Sequence, residues 1–388
     1  MAWSDPKTWT ADELLTASDL NQYLSDNTAA LYALVQGGGR KNLLHNGACQ
    51  IHQRGTSTAS ITTGGYYTAD RWQAAVLTLG TWAQSVENDA PSGSGFRKAL
   101  KMLLTADADT APVDAGDLVL VQQAIEGQNL QSVRKGTSSA ERLTLSFWTK
   151  SNKTGTYVVR LADEDNSRHV SATYTVAASA TWEEQSITFP ADLTGAFDND
   201  ANASLLVQFF LAAGSDYTSG TLATTWATNT TANSAVGQTN LASDTNNYWQ
   251  VTGVQLEVGS ASTGFQHKSY GTELAECQRY YYRLDPQQSL SPIGVGTAVS
   301  TTAAHVMINF PVPMRTSPGL YNDTSGTASD YALLLGSTTS LTAVPQIQHR
   351  NTAGANLSAV VSSGLTTGRA YLLVFSGTNG YLGFSADL

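Results

Sequence analysis

The chain is short of charge. Of its 388 residues only 13% are Asp, Glu, Lys or Arg, roughly half the usual share in a soluble domain, and Ser, Thr, Asn, Gln and Gly fill the deficit. Acidic residues outnumber basic ones 31 to 21, a net charge of -10. With no Lys/Arg cluster to offset it, that charge repels phosphate backbones and anionic headgroups, so nucleic acid is not an expected partner. No apolar run is long enough to span a bilayer, and Met1 to Lys7 contains no basic stretch followed by an apolar core. Neither membrane insertion nor a secretion signal is expected. Cysteine is scarce as well: Cys49 and Cys277 make no disulfide framework and no CxxC-type metal pair, and two reduced, buried thiols are expected.

Catalytic signatures are also missing. There is no G-x-S-x-G elbow, no H-E-x-x-H and no P-loop lysine, and Gly294-Val295-Gly296 lacks the third glycine of a dinucleotide loop. His45, His52, His169, His267, His305 and His349 are scattered without metal spacing. The densest acidic groups, Asp163-Glu164-Asp165 and Asp198-Asn199-Asp200, fall between strand candidates, where Asp and Asn close turns with their own side chains. A calcium loop built on Asp198, Asp200 and Asn202 would lack the glycine and distal glutamate of an EF-hand. The expectation is a non-enzyme with no cofactor and no metal. A polysaccharide hydrolase or esterase, which would use two carboxylates brought together by the fold, stays open as an alternative.

What the chain does have begins near its front. Leu20, Leu24, Asn27, Leu31 and Leu34 recur at alternating steps of four and three residues, one seam of a heptad helix that needs a partner to cover it. Thr16 and Asp19 have capping-box spacing, and Gly37-Gly38-Gly39 supplies a stop. A helix this short gains its stability from packing, and an amide on the seam at Asn27 would set register and copy number. Self-association is therefore expected, with an amphipathic helix lying on its own domain as the alternative.

From Asn42 onward the pattern changes to short alternating segments separated by Gly, Asn, Asp and Ser. Strands are predicted at Leu118 to Ile125, Glu141 to Thr149, Gly155 to Leu161, Val170 to Thr175, Glu184 to Phe189, Ser204 to Leu211 and Tyr248 to Glu257. Leu143, Leu145 and Phe147 alternate with Thr144, Ser146 and Trp148, as a half-buried strand requires. Strands at this spacing make a β-sandwich, with Thr218 to Asn247 as a long surface loop. A short helix is expected over Glu273 to Gln278, and a strand could start at Tyr280-Tyr281-Tyr282. A smaller β-domain follows, with strands at Ala303 to Val312, Ala332 to Leu335, Ala343 to Gln348, Ser358 to Val361 and Arg369 to Phe375.

The stretches Thr8-Trp9-Thr10, Leu15-Thr16-Ala17-Ser18-Asp19-Leu20-Asn21 and Leu24-Ser25-Asp26-Asn27 resemble the N-terminal segment of tail-fibre-like structural proteins of tailed bacteriophages. Asn46-Gly47, Gln53-Arg54-Gly55-Thr56 and Asp70-Arg71-Trp72 are similar to the opening of the carbohydrate-binding-module-like jelly roll of such proteins. Gly253-Val254-Gln255-Leu256-Glu257-Val258-Gly259, Phe265, Glu273-Leu274 and Cys277-Gln278-Arg279-Tyr280-Tyr281 are similar to its close. The fold then expected is mainly β: an oligomerising N-terminal α-helix, a jelly-roll β-sandwich and a smaller C-terminal β-sandwich. Residues 1–40 would anchor to the virion and trimerise, 41–270 would form the jelly roll, and 271–388 the receptor-binding tip. The resemblance implies a homotrimeric tail fibre or adhesin, assembled in the host cytoplasm and exposed on the released particle. Its partners would be other virion proteins, a tail or capsid adaptor, and a host cell-surface polysaccharide. A capsid-attached head fibre or decoration protein is the alternative with the same parts.

Sugar rings stack their C-H faces on Trp and Tyr while flanking polar side chains satisfy the hydroxyls. Trp82, Trp148, Trp182, Trp226 and Trp249 fall in the jelly roll, most of them expected in the core or on a sheet face, with Trp226 in the polar loop the candidate platform. Tyr321, Tyr331, His349, Arg350 and Tyr381 near the C-terminal loops are candidates for a receptor patch. Trp3 and Trp9, with Leu14 and Leu15, are aromatic and apolar residues without a local core and are the candidate virion anchor.

Overall fold

The computed structural model describes Leu14, residues 16–19, Asn21 and residues 42–109, 113–319 and 323–388. At the front, the Asp19 amide donates to Thr16 Oγ1 (3.1 Å) and the Thr16 amide to Asp19 Oδ2 (3.1 Å). This reciprocal pair is the capping box anticipated there, and it opens α1 (Ala17–Asp19). Leu14 is 82% exposed. Leu20, Leu24, Asn27, Leu31 and Leu34, like Trp3, Trp9, Leu15 and Tyr321, lie outside the described residues.

The rest is mainly β. The strands of the first unit are β1 (Ser57–Ile61), β2 (Gly65–Tyr66), β3 (Gln73–Leu77), β4 (Thr81–Glu87), β5 (Ala99–Ala106), β6 (Leu118–Glu126), β7 (Leu143–Ser151), β8 (Gly155–Asp163), β9 (Arg168–Val176), β10 (Glu183–Phe189), β11 (Ala203–Ala213), β12 (Ala227–Thr228) and β13 (Tyr248–Val258). Among the described residues they form a six-stranded sheet, β1-β4-β5-β13-β7-β10, and a seven-stranded sheet, β12-β9-β8-β11-β6-β3-β2. The chain passes repeatedly between the two sheets, giving a jelly-roll sandwich with its aromatic core in the middle. Phe209 packs edge-on to Phe147 at 5.0 Å between centroids and lies 5.5 Å from Trp249, while Phe147 meets Tyr174 at 5.0 Å. Alternation along β7 sends Leu143, Leu145 and Phe147 into this core and leaves Trp148 half-buried on the outer face. Gly47 admits no side chain, because a Cβ there would come 2.0 Å from the Val254 carbonyl oxygen.

Two short helices interrupt the strands, α2 (Ser215–Thr218) and α3 (Tyr270–Gln278). Ser269 caps α3 by accepting from the Thr272 amide (3.3 Å), and α3 leads into the buried pair Tyr280 and Tyr281. Here the opening motifs of the jelly roll meet the C-terminal unit. The Arg71 guanidinium stacks on Tyr280 (3.4 Å) and that of Arg54 on Tyr281 (3.5 Å). Gln53 donates to the Tyr281 carbonyl (2.7 Å), Arg54 pairs with Asp387 (2.5 Å) and Arg279 with Glu126 (2.7 Å). Arg315 donates to Ala201 O (3.0 Å) on the jelly roll and to Ala386 O (2.8 Å) and Asp387 O (2.8 Å). Gln53, Arg54, Arg71 and Tyr280 thus join the two units.

The C-terminal unit has β14 (Tyr281–Leu284), β15 (Pro292–Ala298), β16 (Ala303–Asn309), β17 (Asp323–Ser325), β18 (Tyr331–Leu335), β19 (Ser337–Ser340), β20 (Gln346–Arg350), β21 (Gly354–Val360), β22 (Ala370–Phe375) and β23 (Tyr381–Ser385). They form a three-stranded sheet, β14-β23-β17, facing a seven-stranded one, β19-β18-β22-β15-β16-β21-β20. Val306, Leu333, Leu357, Leu373, Leu382 and Phe384 lie in a core of its own.

Two expectations need correction, and a third segment finds its structural place. Thr218 to Asn247 is not simply a surface loop: Ser234, Ala235, Leu241 and Ala242 are all 0% exposed, and the segment lies over the seven-stranded jelly-roll sheet, where Ala235 packs with Leu120, Val158 and Phe210. The strand beginning at Ala303 ends at Asn309 rather than Val312, since Pro311 and Pro313 have no amide to donate. Gly294-Val295-Gly296 lies inside β15 beside β16, and a Cβ on Gly296 would come 2.0 Å from the His305 carbonyl oxygen.

Candidate functional site

The sequence-predicted binding residues do not come together. Trp226 is half-buried against the core; its indole N-H donates to the Pro190 carbonyl (2.9 Å) and the Lys135 ammonium lies 5.3 Å from its ring. It roofs a buried ionic network instead of offering a platform. Tyr331 is 0% exposed and donates to the Tyr381 carbonyl (2.9 Å), which removes it from any receptor patch. Tyr381 is half-buried, its ring 3.7 Å from the Arg283 guanidinium. Among the described candidates His349 and Arg350 share a depression, about 270 Å³ in volume, with Met307, Asn309 and Asn356 on the outer face of the C-terminal seven-stranded sheet.

The acidic groups settle into structural roles. Asp163 is fully buried and receives the Lys135 ammonium (2.5 Å), which also reaches Asp192 (3.1 Å). Asp200 accepts from the Asn202 amide (2.9 Å), as a turn residue does. His45, Glu273 and Glu276 bring ligand atoms within 4.8 Å of one another, but the Lys268 ammonium (2.6 Å) already sits on Glu276 and the Asn46 amide on Glu273. Burial works to raise Glu276, yet hydrogen bonds from His45 and Lys268 outweigh it and bring the carboxyl down to about 2. Cys49 and Cys277 are free and buried; burial pushes the Cys49 thiol up to about 12.

The face that does gather binding chemistry is the outer side of the six-stranded jelly-roll sheet. Strand alternation turns Trp148 of β7 and Tyr248 of β13 outward, half-buried, and Trp182 stands beside them just before β10. By contrast Trp72, Trp82 and Trp249 are fully buried. Register places Lys101, Gln250 and Lys150 in one row across β5, β13 and β7. Lys101 Nζ lies 4.8 Å from the Tyr248 ring and Lys150 Nζ 5.2 Å from the Trp182 ring. Asp89 joins the two: it pairs with Lys150 and accepts from Trp182 Nε1 (3.2 Å). Burial acts to raise Asp89, but bonds from Lys150, Trp182 and Gln250 outweigh it and hold the carboxylate below its ordinary value. The result is a fixed array of aromatic faces bordered by charged donors and acceptors. The alternation of β7 specifies the outward position of Trp148 but no binding role; Asp89 is assembled from a loop and gave no signal.

No protein-family model matches this sequence, and no curated protein matches it. Among solved structures the chain is similar to a domain of tailspike protein 4 of bacteriophage CBA120, with 12% identity and a TM-score of 0.30 over 56% of this chain and 21% of that one. It is also similar to a family 11 carbohydrate-binding module from Clostridium thermocellum, in complex with a mixed-linked tetrasaccharide, with 11% identity and a TM-score of 0.27 over 53% of this chain and 96% of that one. A third is the xylan-binding domain from Paenibacillus barcinonensis, with 11% identity and a TM-score of 0.25 over 57% and 97%. At these scores the likeness is one of broad β-sandwich outline.

Proposed function

We propose that this protein is a non-enzymatic glycan-binding component of a bacteriophage particle, and that it holds a host-surface saccharide on the outer face of its six-stranded jelly-roll sheet. The observation behind this reading is the cluster of Trp148, Trp182 and Tyr248 with Asp89, Lys101 and Lys150 on that one face. Indole and phenol rings take the C-H faces of sugars, and a carboxylate already held between an ammonium and an indole N-H is oriented to accept from hydroxyls. The His349–Arg350 depression would be a second, distal contact. In the same reading residues 1–40 attach to the particle and gather three copies through the Leu20 to Leu34 seam. The tail is the preferred position over the head, on the resemblance of the N-terminal stretches.

A glycan array read with the intact protein, followed by reducing-sugar and acetate assays on the polysaccharide retained, tests the reading. Binding without release supports it; release of sugar or acetate overturns it in favour of a hydrolase or esterase. Light scattering should give three times the 41.1 kDa chain mass, and a monomer mass would remove the trimer from the proposal.

A further inference from the structure

The seven-stranded jelly-roll sheet carries a different row on its own outer face. Gln73, Gln122, Gln208, Arg160 and Ser171 stand in register across β3, β6, β11, β8 and β9. The long side chains bond in series: Gln122 Nε2 donates to Gln73 Oε1 (2.5 Å), Gln208 Nε2 to Gln122 Oε1 (2.6 Å) and Arg160 Nε to Gln208 Oε1 (2.6 Å). Arg160 Nη1 donates to Ser234 Oγ (2.6 Å) in the segment that covers the neighbouring apolar rows. Gln73, Gln122 and Arg160 stay half-buried at the margin of that cover, as does Leu206 on the next row. Every amide points its carbonyl toward the guanidinium, so the row delivers its polarity to Arg160.

Arg160 lacks a counter-charge. Among the described residues Lys135, Lys150, Arg168, Lys268 and Arg279 each pair with a carboxylate, whereas Arg160 ion-pairs with none. Glu164 and Tyr217 act on it only through space, and its Nε and Nη1 bonds go to the neutral Gln208 and Ser234. Burial therefore lowers Arg160 to about 10. Burial first, and the Arg160 charge second, lower the adjacent His169 to about 4. His169 is 0% exposed with neither ring nitrogen bonded, so it adds no competing charge at neutral pH. A partly desolvated guanidinium with only neutral partners is costly in the free protein, and an incoming oxyanion would relieve that cost through a charge-assisted hydrogen bond.

We propose that Arg160 is an anion subsite: it takes the carboxylate or sulfate substituent of an acidic saccharide, with Gln122 and Gln73 bonding hydroxyls alongside. This site is on the opposite sheet from Trp148 and Trp182 and stands independently of them. The chain's net charge of -10 works against non-specific adhesion to polyanions, so retention by one is informative.

Affinity electrophoresis of the intact protein through gels containing polygalacturonate, dextran sulfate or neutral dextran is the test. Retardation by an acidic polymer and not by dextran, weakened at least tenfold in Arg160→Gln and partly kept in Arg160→Lys, supports the proposal. Polygalacturonate alone would identify a carboxylate, dextran sulfate alone a sulfate. Circular dichroism melts of both variants, with Gln122→Ala as a milder change that leaves Ser234 bonded, separate loss of binding from loss of fold. The proposal is overturned if neither acidic polymer retards the protein, or if folded Arg160→Gln is retarded like the unchanged chain. Retardation abolished by Trp148→Ala/Trp182→Ala but not by Arg160→Gln would assign it to the aromatic face and equally overturn it.

Discussion

Replacing both outward indoles, Trp148→Ala and Trp182→Ala, tests the aromatic face at its strongest point. In the β10–β7 register Glu184 faces Trp148 and Glu183 faces Thr149, so Trp182 lies two positions along the neighbouring strand from Trp148. Such diagonal neighbours stand about 7–8 Å apart, a span that linked sugar rings can cover. Both rings are half-buried by protein already, and Trp182 is tethered by its N-H to Asp89 (3.2 Å). If roughly 50 Å² of each indole remains for a ligand, at about 25 cal/mol per Å² one ring contributes about 1.3 kcal/mol, close to ninefold in Kd. Two independent rings give about eightyfold. Because Lys150 lies against the Trp182 ring and two residues from Trp148 on the same strand face, the double variant should fall somewhat short of the product. Isothermal titration of the intact protein with the best oligosaccharide from the array measures this, and urea unfolding should move by no more than about 1 kcal/mol, since neither indole is in the core. A folded double variant that binds within twofold of the unchanged protein would refute the assignment.

Lys135→Met should cost about 3–5 kcal/mol in urea unfolding, because it strips the ammonium from Asp163 and Asp192, which are 0% and 4% exposed in their side chains; a loss under about 1 kcal/mol would show that the network is not what seats Trp226. Asp70 should make stability depend on pH: burial raises its folded value from 3.8 to about 6, so its favourable contribution is full below about 4 and is lost as pH rises through 6. Unfolding free energy of the unchanged chain should then fall about 2 kcal/mol more than that of Asp70→Asn between pH 4 and pH 6.5, and parallel curves would contradict it. Asn27→Leu should leave far-ultraviolet helicity intact but broaden the copy-number distribution seen by light scattering; a sharp, unchanged mass would remove Asn27 from the control of assembly.

Much of the sandwich was legible because one physical signal dominates its central strands. Leu143, Leu145 and Phe147 had to face inward once Thr144 and Ser146 faced out, and the run from Leu118 to Val121 is apolar on both sides because segment 214–240 lies over its second face. Thr81–Glu87 and Ala99–Ala106 carry the same alternation and were not predicted, whereas three other unpredicted strands have only a weak pattern. Gln73–Leu77 is short and half alanine, Ser57–Ile61 is a mostly exposed edge, and Pro292–Ala298 has glycines where side chains would carry a pattern. Their conformations are imposed by neighbours, as at Gly296 beneath His305, and a local reading does not contain the neighbour.

The binding residues failed for a related reason. A polar loop suggests an exposed Trp226, yet a tryptophan near Lys135 and a backbone carbonyl is drawn into cover as soon as those groups need shielding. Trp148 and Trp182, set among strand residues, read as core or sheet-face residues alike, although a sheet has two faces and only one of them is the core. The opposite sheet repeats the lesson with polar side chains: Gln122 and Gln208 sit in mostly apolar strands, and each alone looks like a tolerated defect. Register makes them consecutive members of a single row ending at Arg160. A polar residue interrupting an apolar strand is therefore informative in proportion to what stands beside it on the next strand, and pairing, which sequence periodicity does not specify, is what converts isolated exceptions into a site.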